Sequence, residues 1–249
     1  VAGSFTTTST VKVTLGAVAG KLGEKAQIVG CTNTAGIAMN VDASGTTVIG
    51  GIFGQGAAGN VIADNTNEGR ITVRRKTPGD AAAVAGVGGW AYSDVTGCVN
   101  KGEIRYSDEV SAAKAVYVGG VLGRLDIGKG YVVEGCRNEA PVTLATAQAA
   151  NNLLGGIAAY ANGENRDTPN TIRNCENRGD VLADAPVSDK AKTGQARMGG
   201  ICGGTAVFEG NTYYGKVEAR GGGKGASEFS IGGISGMIAH DATAVSYTH

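Results

Sequence analysis

Histidine is nearly absent from this chain: two in 249 residues, His240 and His249. A Ser–His–Asp arrangement therefore has no base to draw on before residue 240. Aromatic residues make up only 5%, with one tryptophan, Trp90, so any core is built from Val, Ile, Leu and Ala. No apolar run approaches the roughly twenty residues of a membrane-spanning helix, which predicts no membrane insertion within this segment. The 22 basic and 22 acidic side chains cancel, which excludes the basic face of a nucleic-acid binder. No CxxC pair occurs among the five cysteines, so neither a metal site nor another cofactor site is predicted. No long segment shows the i, i+3, i+4 apolar spacing of an amphipathic helix.

Glycine, in contrast, is abundant: 43 of 249 residues, without collagen's three-residue period. It belongs to two motifs that travel together. The first reads apolar-x-x-C-x-N-x-G-x-apolar, as in VTGCVNKGEI at Val95–Ile104. Its Cys position is Cys31, Asn65, Cys98, Cys136, Cys175 and Asn211, in steps of 33–39 residues. Two residues on stand Asn33, Asn67, Asn100, Asn138, Asn177 and Tyr213. The next column is Ala35, Gly69, Gly102, Ala140, Gly179 and Gly215. Apolar columns flank these: Ile28, Ile62, Val95, Val133, Ile172 and Phe208 before, and Ile37, Ile71, Ile104, Val142, Val181 and Val217 after. The second motif, GG-[IV]-x-G, follows about twenty residues later; its apolar position is Ile52, Val87, Val121, Ile157, Ile201 and Ile234.

A period in this range along a whole chain marks a stacked array. Within each motif, apolar and small positions alternate with variable ones, the two-residue period of a half-buried strand. The predicted fold is all-β: a single parallel β-helix spanning residues 1–249, one coil per 33–39-residue repeat, about six to seven coils. Neither end carries a capping sequence, which predicts a segment of a longer array whose coils could associate end to end.

Stacked strands lie about 4.8 Å apart, so identical residues touch. Asn33, Asn67, Asn100, Asn138 and Asn177 are predicted to form an amide ladder. The Gly column should supply positive φ or close backbone approach. Ala35, Ala85, Ala140 and Tyr213 depart from the pattern and predict imperfect ladders at those coils. Cys31, Cys98, Cys136 and Cys175 read as free, inward thiols rather than disulfides, because an inward ladder holds side chains parallel and Asn replaces Cys twice. Cys202 follows the inward Ile201 and is predicted to face outward. Arg74, Arg75 and Lys76 precede the Pro78–Gly79 turn and read as a solvated loop. Val1–Thr10 is either an irregular lead-in or the tail of a preceding coil. The stretches Asn162–Asn170 and Cys175–Gly199 read as insertions bulging from the solenoid, and Gly221–Gly225 as a flexible tract.

The residue three places after the apolar position of the second motif should point outward. That column is Gln55, Trp90, Arg124, Tyr160, Gly204 and Met237. Trp90 and Tyr160, two coils apart with Arg124 between them, are the candidate ligand-binding residues: rings to stack on sugars and a guanidinium for an acidic substituent. The alternative is that they pack on a loop, or on one another as a cation–π ladder.

The pairing of Cys98, Asn100, Gly102 and Ile104 with Gly119, Gly120, Val121 and Gly123 resembles the GLUG-type repeats of bacterial secreted and surface proteins. The resemblance covers essentially the whole chain. It implies a non-catalytic structural or adhesive region, extracellular or at the cell surface, whose partners are a host or bacterial surface protein or a glycan. A surface glycan-binding protein is the alternative. A β-helix polysaccharide lyase or hydrolase is a further one, but acidic residues such as Asp94, Asp108, Asp126 and Asp180 form no evident catalytic pair.

Overall fold

Asn67 pairs in parallel with Asn33 on one side and Asn100 on the other, and the ladder continues through Asn138 and Asn177 to Tyr213. Every repeated segment pairs this way with its own counterpart, so the sequence period becomes the turn of a β-solenoid. This computed structural model describes residues 4–9, 12–42, 44–76, 79–108, 115–126, 130–146, 151–161, 167–184, 195–220, 228–238 and 244–245. No helix occurs among them. Residues 162–166, 185–194 and 221–225, with His240 and His249, lie outside the described residues, so the predicted insertions are described only at their edges.

One turn is formed by Ala82–Ala85, Gly88–Ala91, Val95–Thr96, Val99–Asn100 and Ile104–Asp108. These five strand positions generate five parallel sheets of 7, 5, 7, 6 and 7 strands, here numbered first to fifth in that order around the turn. Among the described residues, five turns carry all five strands. A sixth has its second strand reduced to a bridge at Cys202. Ser4–Ser9 pairs with Gly36–Val41, so the Thr-rich start is the tail of a preceding coil.

The interior is divided in two. The fifth sheet contributes Ile37, Val73, Ile104, Tyr106 and Val142 to one core, shared with Ile49, Val84, Val118, Leu154 and Met198 of the first. The second and third sheets build the other, with Phe53, Leu122, Ile62, Val95, Val133 and Ile172. Full burial of each such side chain is worth about 1.5–3 kcal/mol.

Between the cores stands the amide ladder, and it explains why the two motifs travel together. Each Asn Nδ2 donates to the next Asn Oδ1 at 2.7–2.9 Å, from Asn33 to Asn177. The same Nδ2 donates to the carbonyl two residues on, as from Asn100 to Gly102 O at 2.9 Å, closing a tight corner. Across the turn, the second Gly of the GG motif presses against this ladder. A Cβ on Gly86 would lie 2.2 Å from Asn100 Oδ1, and one on Gly156 would lie 2.0 Å from Asn177 Nδ2. The ladder is unbroken past Ala35 and Ala140, and strand register holds through Ala85, so those departures leave no gap. At Tyr213 the ladder ends, and Asn177 Nδ2 donates instead to Gly200 O at 2.7 Å.

In the Cys column, thiol and amide are interchangeable because both donate to one carbonyl, that of the apolar residue in the preceding turn. Cys136 and Cys175 reach Val95 O and Val133 O at 3.6 and 3.5 Å. Asn65 and Asn211 reach Ile28 O and Ile172 O at 2.8 and 2.7 Å. Cys98, Cys136 and Cys175 are buried, Cys31 is partly exposed, and all are free.

Of the two roles expected of the Gly column one is found, and two other expectations are corrected. Gly69 and Gly102 serve close approach alone: a Cβ would fall 1.9 and 2.0 Å from the carbonyl oxygen of the preceding turn. Positive φ lies instead one residue before the Cys column, at Gly30, Asp64, Gly97, Gly135, Asn174 and Gly210, all residue types that tolerate it. Cys202 is fully buried in the second core. The GG corner swings the chain so that two successive residues, Ile52–Phe53 through Ile201–Cys202, face inward and the simple alternation breaks. Arg75 is buried on Ile71–Arg75, not solvated in a loop. It pairs in register with Asp108, itself fully buried, and donates to Asp80 O at 2.6 Å and Gly45 O at 3.1 Å. Burial, then the Asp108 charge, pushes the neighbouring Tyr106 phenol far above its ordinary value.

Candidate binding groove

The GG corner bends the wall of the solenoid back on itself, and the outside of that bend is a groove. Its floor is glycine. A Cβ on Gly89 would meet Ile49 N at 2.8 Å, and one on Gly123 would meet Val84 N at 3.0 Å, so the first two sheets approach backbone to backbone. The side chains beyond that contact form two facing walls.

The second sheet supplies the wall expected from the sequence. Gln55, Trp90, Arg124 and Tyr160 are register partners in successive turns and all are partly exposed. The Arg124 guanidinium carbon lies 4.2 Å from the Trp90 ring centroid and 5.8 Å from that of Tyr160. The column is thus a cation–π ladder, a packing anticipated as the alternative to ligand binding. Arg124 is also held by Asp126, Nη2 to Oδ1 at 3.1 Å.

The first sheet supplies a column that the sequence did not single out: Val48, Ala83, Tyr117, Leu153 and Arg197, again in register, of which Val48, Ala83 and Leu153 are buried and Tyr117 and Arg197 are partly exposed. Tyr117 stacks on Tyr160 with centroids 5.7 Å apart and places its ring 5.5 Å from the Arg124 guanidinium. On the other flank Tyr92 stacks on Trp90, 5.9 Å apart and 5° from parallel. Burial, and after it the Asp126 carboxylate, raises the Tyr92 phenol above its usual value. Tyr117 and Arg197 had one usable signal: they stand two residues before the first Gly of the GG motif, where the outward face of a strand must lie.

Trp90, Arg124 and Tyr160 therefore come together, with Tyr92 and Tyr117 completing a face over three turns. The ladder residues Cys31 to Cys175 and Asn33 to Asn177 form a separate, interior system. Gly204, next in the Trp90 column, has no side chain, and its ideal Cβ would sit 2.4 Å from Tyr160 Cδ2. Tyr160 therefore lies over Gly204, and a cavity of about 240 Å³ is lined by Tyr117, Asn151, Asn152, Leu153, Tyr160 and Arg197. Among the described residues no cluster of His, Cys, Asp and Glu has metal-binding geometry. Compared with models of protein families, with curated proteins and with solved structures, the chain matches none.

Proposed function

We propose that this chain is a non-catalytic, adhesive repeat region of a bacterial secreted or cell-surface protein that holds glycan in the groove between its first and second sheets. The observation that carries the proposal is the register column Trp90–Arg124–Tyr160, widened by Tyr92 and Tyr117 into one aromatic and cationic face. Such a face offers flat apolar surfaces to sugar rings and a guanidinium to polar substituents. The GLUG-like motifs support the extracellular setting. A lyase or hydrolase is less well supported: Asp126, beside the groove, is ion-paired with Arg124, and among the described residues the cavity lining contains no carboxylate.

The test is affinity electrophoresis through a panel of host and plant polysaccharides, with the gels assayed for cleaved product. Retardation that is lost in Trp90→Ala, without cleavage, supports the proposal. Cleavage overturns its non-catalytic part. No retardation overturns glycan binding.

A second reading, a structural stalk, is favoured by one specific observation. Arg124 already covers the Trp90 ring at 4.2 Å, so the column satisfies itself without a ligand. On that reading Trp90→Ala changes stability and nothing else.

A further inference from the structure

The solenoid itself sets the spacing of the groove's partly exposed side chains. Gln55, Trp90, Arg124 and Tyr160 follow one another at one residue per turn. They therefore recur about every 4.8 Å along the axis, in a straight row. Trp90 and Tyr160 are two turns apart, about 10 Å. Arg124 lies between them, 4.2 Å from one ring centroid and 5.8 Å from the other. The cation at the centre of the row is already answered, since Arg124 Nη2 donates to Asp126 Oδ1 at 3.1 Å. Tyr92, beside Trp90, is within hydrogen-bonding reach of Gln55 in the turn before and of Asp126 in the turn after. What this row and its flanks offer a ligand is an amide, phenols and ring surfaces, with one internally balanced ion pair. Amides and phenols both donate and accept, as sugar hydroxyls do.

We infer that the groove takes an uncharged, extended polysaccharide of the β-1,4-linked glucan or mannan class, lying parallel to the solenoid axis with one sugar ring per turn. The inference rests on the glycan-binding reading above and adds the ligand class and its direction. Equatorial linkages keep such a chain straight, and each ring advances it by close to one strand spacing. Successive rings are flipped, so every second ring presents the same side. Trp90 and Tyr160, two turns apart, then meet equivalent sides of two rings. Arg124 meets the ring between them through N–H donors that the Asp126 contact does not use. Gln55 meets the hydroxyls of a fourth ring. An α-1,4-linked chain curls off a straight row and loses this register. A polyanion gains no unanswered cation at the centre of the row, and it brings its carboxylates up to Asp126.

The test is isothermal titration calorimetry with cellohexaose and mannohexaose, set against maltohexaose, which joins glucose by α-1,4 linkages, and against hexagalacturonate. Cellohexaose or mannohexaose is expected to bind about tenfold or more tightly than either of the other two. Shortening that ligand from four rings to two is expected to weaken it about tenfold, and lengthening it from four to six to add little, because Gln55 to Tyr160 spans four turns. Trp90→Ala and Tyr160→Ala are each expected to weaken binding by about tenfold. Tyr214→Ala, which removes an exposed aromatic outside the groove, is expected to leave it unchanged. Circular dichroism establishes that each variant is folded. If Trp90→Ala or Tyr160→Ala does not fold, Gln55→Ala replaces it, with an expected loss of about threefold, the scale of one hydrogen bond. Maltohexaose or hexagalacturonate binding as tightly as the β-linked hexaoses overturns the ligand class and leaves the glycan-binding reading standing. So does retardation by polysaccharides with no binding of cellohexaose or mannohexaose. Two rings binding as tightly as four overturns the alignment along the axis. Equal losses in Trp90→Ala and Tyr214→Ala, or absence of retardation by every polysaccharide, overturn this inference and the groove reading together.

Discussion

Asn100 Nδ2 donates to Asn138 Oδ1 at 2.7 Å, and both amides are fully buried between two apolar cores. Each interior Asn of the ladder is tied to the turn before, the turn after and its own corner. Removing one strands its neighbours, and a stranded buried polar group costs about 1–3 kcal/mol. Asn100→Ala leaves Asn67 Nδ2 and Asn138 Oδ1 without their inter-turn partners. It is expected to lower unfolding free energy by about 2–4 kcal/mol in urea titration. Asn33→Ala, at the ladder's end, is expected to cost less. Equal and small effects would show that the ladder is decoration.

Glycine substitutions should separate two roles. A Cβ on Gly120 would lie 2.0 Å from Gly156 O and 2.5 Å from Asn138 Cγ, so Gly120→Ala must push apart the waist of the turn. It is expected to cost more than about 3 kcal/mol or to abolish folding. Gly135 has φ +61° with open space around its Cβ, so Gly135→Ala pays only backbone strain, about 1–2 kcal/mol. Gly135→Asn should be milder still, since Asn174 holds the same position in the next turn at φ 53°. Thermal melts of the three variants give the order.

Arg75 and Asp108 are register partners buried at the edge of the first core. Removing one charge leaves the other in a low-dielectric site, so Asp108→Ala is expected to destabilise by about 3–5 kcal/mol. The double change Arg75→Met with Asp108→Leu should be far closer to neutral, because it removes both desolvation costs. A double-mutant cycle by chemical denaturation checks this. Additive losses would show that the pair is not coupled.

Burial pushes the Cys202 thiol up to about 12 from an ordinary value of 9.0. The sign follows directly: the folded state keeps its proton when the unfolded state begins to lose it. The contribution is intact below pH about 9 and is lost as pH rises towards 12. Wild-type stability should therefore fall between pH 9 and 11, and Cys202→Ala should show a smaller fall over that interval. Identical falls would remove Cys202 from the account. At pH 8, Cys31 should react with a thiol reagent first, because the other four thiols are buried.

Apolar columns such as Ile37–Ile71–Ile104 were legible because a strand's two-residue period and a solenoid's stacking both print directly onto sequence. The Asn ladder was legible for the same reason. Cys202 was misplaced because the GG corner breaks that period for one residue, and no residue type announces the break. Arg75 read as solvated because charge next to a Pro–Gly turn usually is; it is instead buried in register with Asp108 one turn away and donates to the carbonyls of Gly45 and Asp80. Half of the groove was visible in the Trp90 column. The other wall changes chemical type in every turn, from Val48 to Arg197, and becomes a site only once the corner folds it against Trp90 and Tyr160.

Trp90 is the chain's one tryptophan and sits in the groove, so its fluorescence reports on that face alone. Titrating the protein with polysaccharides that retard it in gels is the most direct measurement of the groove's role. A saturable change in Trp90 emission, with a midpoint matching the retardation and lost in Tyr160→Ala, is the predicted result. Retardation with unchanged Trp90 emission and an unaffected Tyr160→Ala variant would place binding elsewhere on the solenoid and contradict the proposal.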